Sequence, residues 1–149
     1  MNQIAIIDDN ETWRFVLAHY LRQRGFEVET FADPSQFLKA AHEFDLALVD
    51  FCIAPRRHQL DINGAELICK VKAQFDVPPL LVLVSSFFTD DILEVAEAAC
   101  PEADAYLSKT LGLDGLEKEL KALLAARTKT DSVKELGREL ASSRREGSG

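Results

Sequence analysis

No stretch of this chain approaches the roughly 20 consecutive apolar residues that a membrane-spanning helix needs. Met1 leads straight into a strand-like segment with no basic n-region before it, so a secreted product is not expected. Cysteine is scarce. Cys52, Cys69 and Cys100 are odd in number and show no C-x-x-C spacing, which excludes a disulfide framework and gives no zinc signature. They read as reduced thiols of a cytoplasmic protein. Histidine is also rare, and His58 has no second histidine at ligand spacing, so it reads as part of a solvated loop. No internal repeat or low-complexity tract is present. Positive charge is in deficit, with 17 Lys and Arg against 25 Asp and Glu and a net charge of −8. Residues 128–149 hold five basic and four acidic side chains, so residues 1–127 carry a net charge of −9. Such an acidic body lacks the basic patch on which nucleic-acid backbone binding rests. Direct contact with nucleic acid or with a membrane is not expected.

What is there is ordinary for a globular protein, with 47% hydrophobic and 28% charged residues. A chain of 149 residues suits one domain with a full core. Residues 3–7 read as a short apolar strand. Asn10 or Thr12 then caps a helix over residues 11–24, with Trp13, Val16, Leu17, Tyr20 and Leu21 at helical spacing. Gly25 stops it. Residues 26–31 alternate like a half-exposed strand. Asp33-Pro34 opens a short helix to about His42. Residues 45–50 form a third strand, and Asn63 caps a helix over residues 64–74. After Pro78-Pro79 comes the most apolar strand, residues 80–84. Thr89 or Asp90 caps a helix ending at Ala99. Residues 103–107 are a fifth strand. A last helix spans 113–127, with Leu113, Leu116, Leu120, Leu123 and Leu124 on its apolar side.

Five strand–helix repeats argue for an α/β fold with a parallel sheet covered on both faces. Right-handed crossovers leave few topologies. The flavodoxin-like order 2-1-3-4-5 is the expected one, and it puts the site at the carboxyl ends of the strands. In that order the first and third strands are neighbours. Asp8, Asp9 and Asp50, each at the end of one of these strands, then meet at one rim. Close carboxylates repel, and a hard divalent cation such as Mg²⁺ relieves them while leaving room for waters and phosphate oxygens. The fourth strand ends at Ser85-Ser86 and the fifth at Ser108-Lys109, which adds a hydroxyl and an ammonium to the same rim. Phosphoryl transfer asks mainly for in-line positioning and charge stabilisation. This set supplies both, with Asp50 as the covalent nucleophile.

In order along the chain, Ile6-Ile7-Asp8-Asp9-Asn10, Leu48-Val49-Asp50, Asp61-Ile62-Asn63-Gly64, Leu83-Val84-Ser85-Ser86 and Ala103-Asp104-Ala105-Tyr106-Leu107-Ser108-Lys109 stand at strand ends. With these motifs the chain resembles the receiver domain of two-component response regulators (CheY-like) over residues 1–127, leaving 128–149 as a polar extension. The resemblance implies that Asp50 accepts phosphate from a histidine kinase or a histidine phosphotransfer protein. It implies Mg²⁺ held by Asp8, Asp9, Asp50 and the backbone carbonyl of Cys52, with Asp9 binding directly and Asp8 mainly through water. Ser85 and Lys109 would hold the phosphoryl oxygens, and Tyr106 would change rotamer when the Ser85 hydroxyl moves. The surface of the fourth helix, fifth strand and fifth helix would carry the signal to a downstream protein or to an output domain outside this sequence. As in the family, the only chemistry implied is on the chain itself.

Several positions depart from the family pattern. The segment from Ala54 to Asp61 enlarges the loop after Asp50 and can gate access or meet a partner. Thr110 follows Lys109 where the family has a cis proline; a cis bond without proline costs about 3 kcal/mol, so a trans path is expected. Ser86 replaces a smaller residue, and Cys100-Pro101-Glu102 replaces a tight glycine turn. The long loop, Thr110 and Ser86 keep open a phosphorylation-independent binding module. A hydrolase of the haloacid-dehalogenase type wants an acid two residues beyond the nucleophile, where Cys52 stands instead. Val133, Leu136 and Leu140 fit a linker helix or a homodimer helix equally well. Cys52 and Phe87, two beyond Asp50 and Ser85, offer no base to an attacking water, so slow self-dephosphorylation is expected. Phe87→Glu should therefore speed loss of phosphate from the protein; a decay rate no faster than that of the parent chain would sink the idea.

Overall fold

A computed structural model describes residues 2–51, 64–86 and 90–127. Five strands alternate with helices: β1 Gln3–Ile7, α1 Glu11–Gln23, β2 Glu27–Phe31, α2 Pro34–Ala40, β3 Leu46–Asp50, α3 Gly64–Gln74, β4 Leu80–Ser85, α4 Asp90–Ala99 and β5 Ala105–Ser108. A final helix, α5, covers residues 112–127. The strands form one sheet in the order β2-β1-β3-β4-β5, all pairs parallel. This is the flavodoxin-like (βα)5 arrangement expected from the alternation. The chain divides into two compact units, Met1–Glu117 and Lys118–Gly149, and the boundary falls within α5.

The central strands are buried because both faces of the sheet are covered. Ile4, Ala5, Ile7, Leu46, Ala47, Val49, Leu81, Val82 and Leu83 are wholly inaccessible. β2 stands at the edge, and its exposure alternates as a half-covered strand requires. One core cluster runs under α2 and α3, where Phe31, Phe37 and Phe44 meet edge-on or tilted at centroid distances of 5.6–6.0 Å. Such geometry favours the ring quadrupoles over face-to-face stacking.

The helix starts follow local chemistry. The Asn10 side chain accepts the Trp13 amide at 3.0 Å, and the Asp33 carboxylate accepts the Ser35 amide at 2.9 Å ahead of Pro34. Each satisfies an amide that the first turn leaves unbonded. Gly25 has φ 94°, the left-handed value that stops α1. The caps proposed at Asn63 and Thr89 lie outside the described residues.

Three expectations need correction. Val16 is 42% exposed and Phe15 71% exposed; Ala18, with Leu17 and Leu21, is buried instead, so the inner face of α1 is rotated from the one read in sequence. β5 starts at Ala105, two residues late. Before it, the Asp104 carboxylate accepts the Leu81 amide at 2.8 Å and pairs with Lys72 at 3.0 Å, which engages the strand entry through a side chain. β4 runs one residue further than expected and includes Ser85. In α5, Leu116, Leu120 and Leu124 are buried, as their spacing implied. At its first turn Tyr20 of α1 donates to Asp114 and, at 3.0 Å, to Glu117. The Asp114 bond, with burial, pushes the phenol up to about 12.

Phe37 is fully buried among aromatic neighbours. Phe37→Ala is expected to lower the unfolding free energy by about 3–5 kcal/mol, read from the urea unfolding midpoint. A loss below 1 kcal/mol would show that the aromatic cluster collapses around the gap.

Candidate functional site

The sheet register assembles the rim. Ile7 pairs with Val49, so the next residue on each strand, Asp8 and Asp50, emerges side by side. Asp50 pairs with Val84, and Ser85 pairs with Ser108, which places Ser85 and Lys109 one step along on the next two strands. Parallel neighbours end on the same side, so a short apolar strand followed by a polar residue delivers its side chain there each time.

Asp8 is held tightly. Its amide donates to Phe31 O at 3.1 Å, and its Oδ1 accepts the Asn10 amide at 2.9 Å. The Arg14 guanidinium donates to its carbonyl at 2.6 Å. Asp8 is only 2% exposed, Asp50 is buried and Asp9 is exposed. The three carboxylates can each direct an oxygen to a common point, with all three atoms within 4.8 Å of one another. This all-oxygen set fits a hard divalent cation and disfavours soft metals.

Lys109 closes the cluster. Its Nζ lies 2.6 Å from Asp8 Oδ2 and 3.9 Å from Asp50 Oδ1. It also stands 5.0 Å from the centre of the Trp13 ring, a cation–π distance. Sequence reasoning placed Trp13 only on the inner side of α1 and did not single out Arg14. The first helical turn after an acidic strand end is the signal that would have found both, because that turn faces the rim. Lys109 and Thr110 form a short 3-10 turn, and no peptide bond among the described residues is cis.

Ser85 is buried at the rim. Tyr106 is half-buried, and its hydroxyl donates to Cys100 O at 2.5 Å, at the end of α4. Burial raises its pKa. Cys52, Phe87 and the 54–61 loop lie outside the described residues.

Gly64 is where α3 touches the end of β3. A Cβ added there would fall inside contact distance of the Asp50 carbonyl oxygen and press on Phe51 Cα at 3.2 Å. Backbone, not a movable side chain, blocks the space.

A second group of ligand-type side chains went unseen in the sequence. Cys69, Cys100 and Glu102 converge within 4.8 Å, although 31 residues separate the two cysteines. Burial, then the hydrogen bond to Glu102, pushes the Cys69 thiol up to about 11. Burial raises Cys100 as well.

Known proteins resemble this chain in sequence and in fold. The family model for the response regulator receiver domain matches residues 4–121. The chain is 26% identical over 124 residues to the transcriptional regulatory protein RprY of Bacteroides fragilis, covering 82% of this chain and 49% of RprY. It is 31% identical over 108 residues to RcaC of Microchaete diplosiphon, covering 72% of this chain and 16% of RcaC. The chain thus spans about half, or less, of the length of these curated relatives. Its fold is similar to a CheY-like receiver domain protein of Methanospirillum hungatei, with a TM-score of 0.69 and 25% identity over 87% of this chain and 98% of that one.

Gly64→Ala is expected to lower stability by about 2–3 kcal/mol, measured by urea unfolding. An unchanged midpoint would mean that α3 can withdraw from the Asp50 carbonyl without loss.

Proposed function

The chain belongs to the response regulator receiver family, and from that premise we propose that it takes a phosphoryl group on Asp50 and passes the change to a partner. The observation that carries this reading is the meeting of Asp8, Asp9, Asp50 and Lys109 at one rim. A histidine kinase or histidine phosphotransfer protein is the proposed donor. One Asp50 oxygen attacks phosphorus as the bond to the donor's imidazole nitrogen breaks, in line and on the opposite side. The nitrogen's electron pair leaves with the imidazole, and the phosphoryl group stays on the carboxylate as an acyl phosphate.

The residues divide the work. Asp9 and Asp50, with Asp8 behind them and the Cys52 carbonyl, are proposed to hold Mg²⁺. When bound, that ion neutralises the carboxylates and the developing phosphoryl charge. Lys109 supplies a second positive charge, and its Trp13 and Asp8 contacts hold the ammonium within reach of Asp50. Ser85 donates to a phosphoryl oxygen. Tyr106, anchored to the end of α4, is the proposed readout. A shift of Ser85 toward phosphate frees space that the ring can enter, which biases the α4–β5–α5 face between two states. The receiver body is proposed as residues 1–127, with 128–149 as an extension, and the cytoplasm as its place of work. Among the described residues no helix is long and apolar enough to cross a membrane.

The test is intact mass after incubation with Mg²⁺ and acetyl phosphate, beside Asp50→Ala. The expected result is one phosphoryl adduct that the variant lacks. Mg²⁺ binding without any adduct, under conditions that label a receiver control, would instead favour a phosphorylation-independent binding module.

A further inference from the structure

The cluster of Cys69, Cys100 and Glu102 takes no part in phosphoryl transfer, and it sits at the amino-terminal end of β5, away from the rim where that strand delivers Lys109. Two local devices build it. The Cys100 amide donates to Ala96 O at 2.8 Å, closing the end of α4. The Ala103 amide then donates back to Cys100 O at 3.3 Å. That four-residue turn has Pro101 in its second position, where the fixed proline φ suits the turn. Cys100 and Glu102 are thereby held on one short turn. Cys69, in the middle of α3, faces them. Its Sγ donates to Glu102 Oε2 at 3.3 Å, while Cys100 Sγ points to Ala65 O at 3.7 Å.

These distances have the scale of a coordination polyhedron. In a tetrahedral zinc site the sulfur–metal bond is about 2.3 Å and the oxygen–metal bond about 2.0 Å, so ligand–ligand edges come to about 3.5–3.8 Å. The Cys69–Glu102 edge is 3.3 Å, and no pair of ligand atoms exceeds 4.8 Å. Bringing all three onto a metal asks for about an ångström of movement at most. Cys100 is fully buried, Cys69 is half-buried and Glu102 is exposed. One side of the cluster therefore opens to solvent, where a metal can enter and a fourth ligand can be water.

We propose that Cys69, Cys100 and Glu102 form a binding site for a thiophilic divalent cation of the zinc class. Two sulfur donors select against Mg²⁺ and Ca²⁺, which take oxygen ligands. The acidic rim, all oxygen, selects the opposite way, so the two clusters of one chain sort different metals. The Cys100 carbonyl also accepts the Tyr106 hydroxyl, so metal here would stiffen the turn to which that aromatic is tied.

Co²⁺ serves as the probe on the full, reduced chain, with Mg²⁺ in excess to occupy the acidic rim. The expected result is one equivalent of Co²⁺ bound with a near-ultraviolet thiolate-to-cobalt charge-transfer band of two thiolates, bleached by Zn²⁺. Cys69→Ser should abolish the two-thiolate band, and Glu102→Gln should weaken Co²⁺ binding by at least about tenfold. Both positions are partly open to solvent, so these variants keep the test valid should Cys100→Ser fail to fold. Absence of the band from the parent chain overturns the proposal, as does a band unchanged in Cys69→Ser. A band lost only in Cys52→Ser or Asp9→Asn overturns it too. Unaltered affinity in Glu102→Gln likewise overturns the three-ligand site.

Discussion

The contact between Lys109 and Asp8 is the one on which the acidic rim depends. Two like charges 4–5 Å apart repel by roughly 3–4 kcal/mol at an effective dielectric constant of about 20. The rim places three carboxylates at such distances, two of them buried. That repulsion is a sizeable part of the 5–15 kcal/mol by which domains are typically stable. An ammonium 2.6 Å from one carboxylate and 3.9 Å from another offsets much of it. The Arg14 guanidinium, donating to the Asp8 carbonyl at 2.6 Å, adds a second positive charge beside the same strand end. The carboxylate cluster itself is an all-oxygen set of the kind that suits a hard divalent cation.

The rest of the architecture keeps those few groups from moving apart. Asp8 is fixed by its own amide, by the Asn10 amide and by Arg14. Asp50 is the last residue of a fully buried strand, and Gly64 lets α3 approach its carbonyl more closely than any side chain would allow. Lys109 is steadied by the Trp13 ring. For the proposed phosphoryl transfer, preorganisation of this kind matters because such chemistry draws its rate from positioning and charge, with little covalent work for the protein to do.

β5 links two chemically different ends of the molecule. At its carboxyl end stands Lys109. Before its amino end stands the Cys100–Glu102 turn, whose carbonyl holds Tyr106. The strand is short, four residues, and its entry is also pinned by Asp104 to Leu81 and Lys72. Tyr106 stands between them, three residues before Lys109 and bonded to the Cys100 carbonyl.

Sequence alone determined the alternation of strands and helices, and with it the parallel sheet, because each element carries its own periodicity, cap or breaker within a few residues. Asn10, Asp33-Pro34 and Gly25 act locally and were legible. So was the convergence of Asp8, Asp50, Ser85 and Lys109, since in a parallel sheet the residue that ends each strand must lie on one rim. Tertiary structure decided what depends on rotation and on distant partners. Which side of α1 faces inward turned on packing, and Val16 gave way to Ala18. The start of β5 turned on the Asp104 carboxylate bonding to a strand 23 residues earlier in the chain. Trp13 and Arg14 joined the rim only once the first turn of α1 was set against it. The meeting of Cys69 with Cys100 and Glu102 joins two elements with no shared local pattern. A spacing rule reads ligands close in sequence, and here only the packing of α3 beside the turn into β5 brings them together.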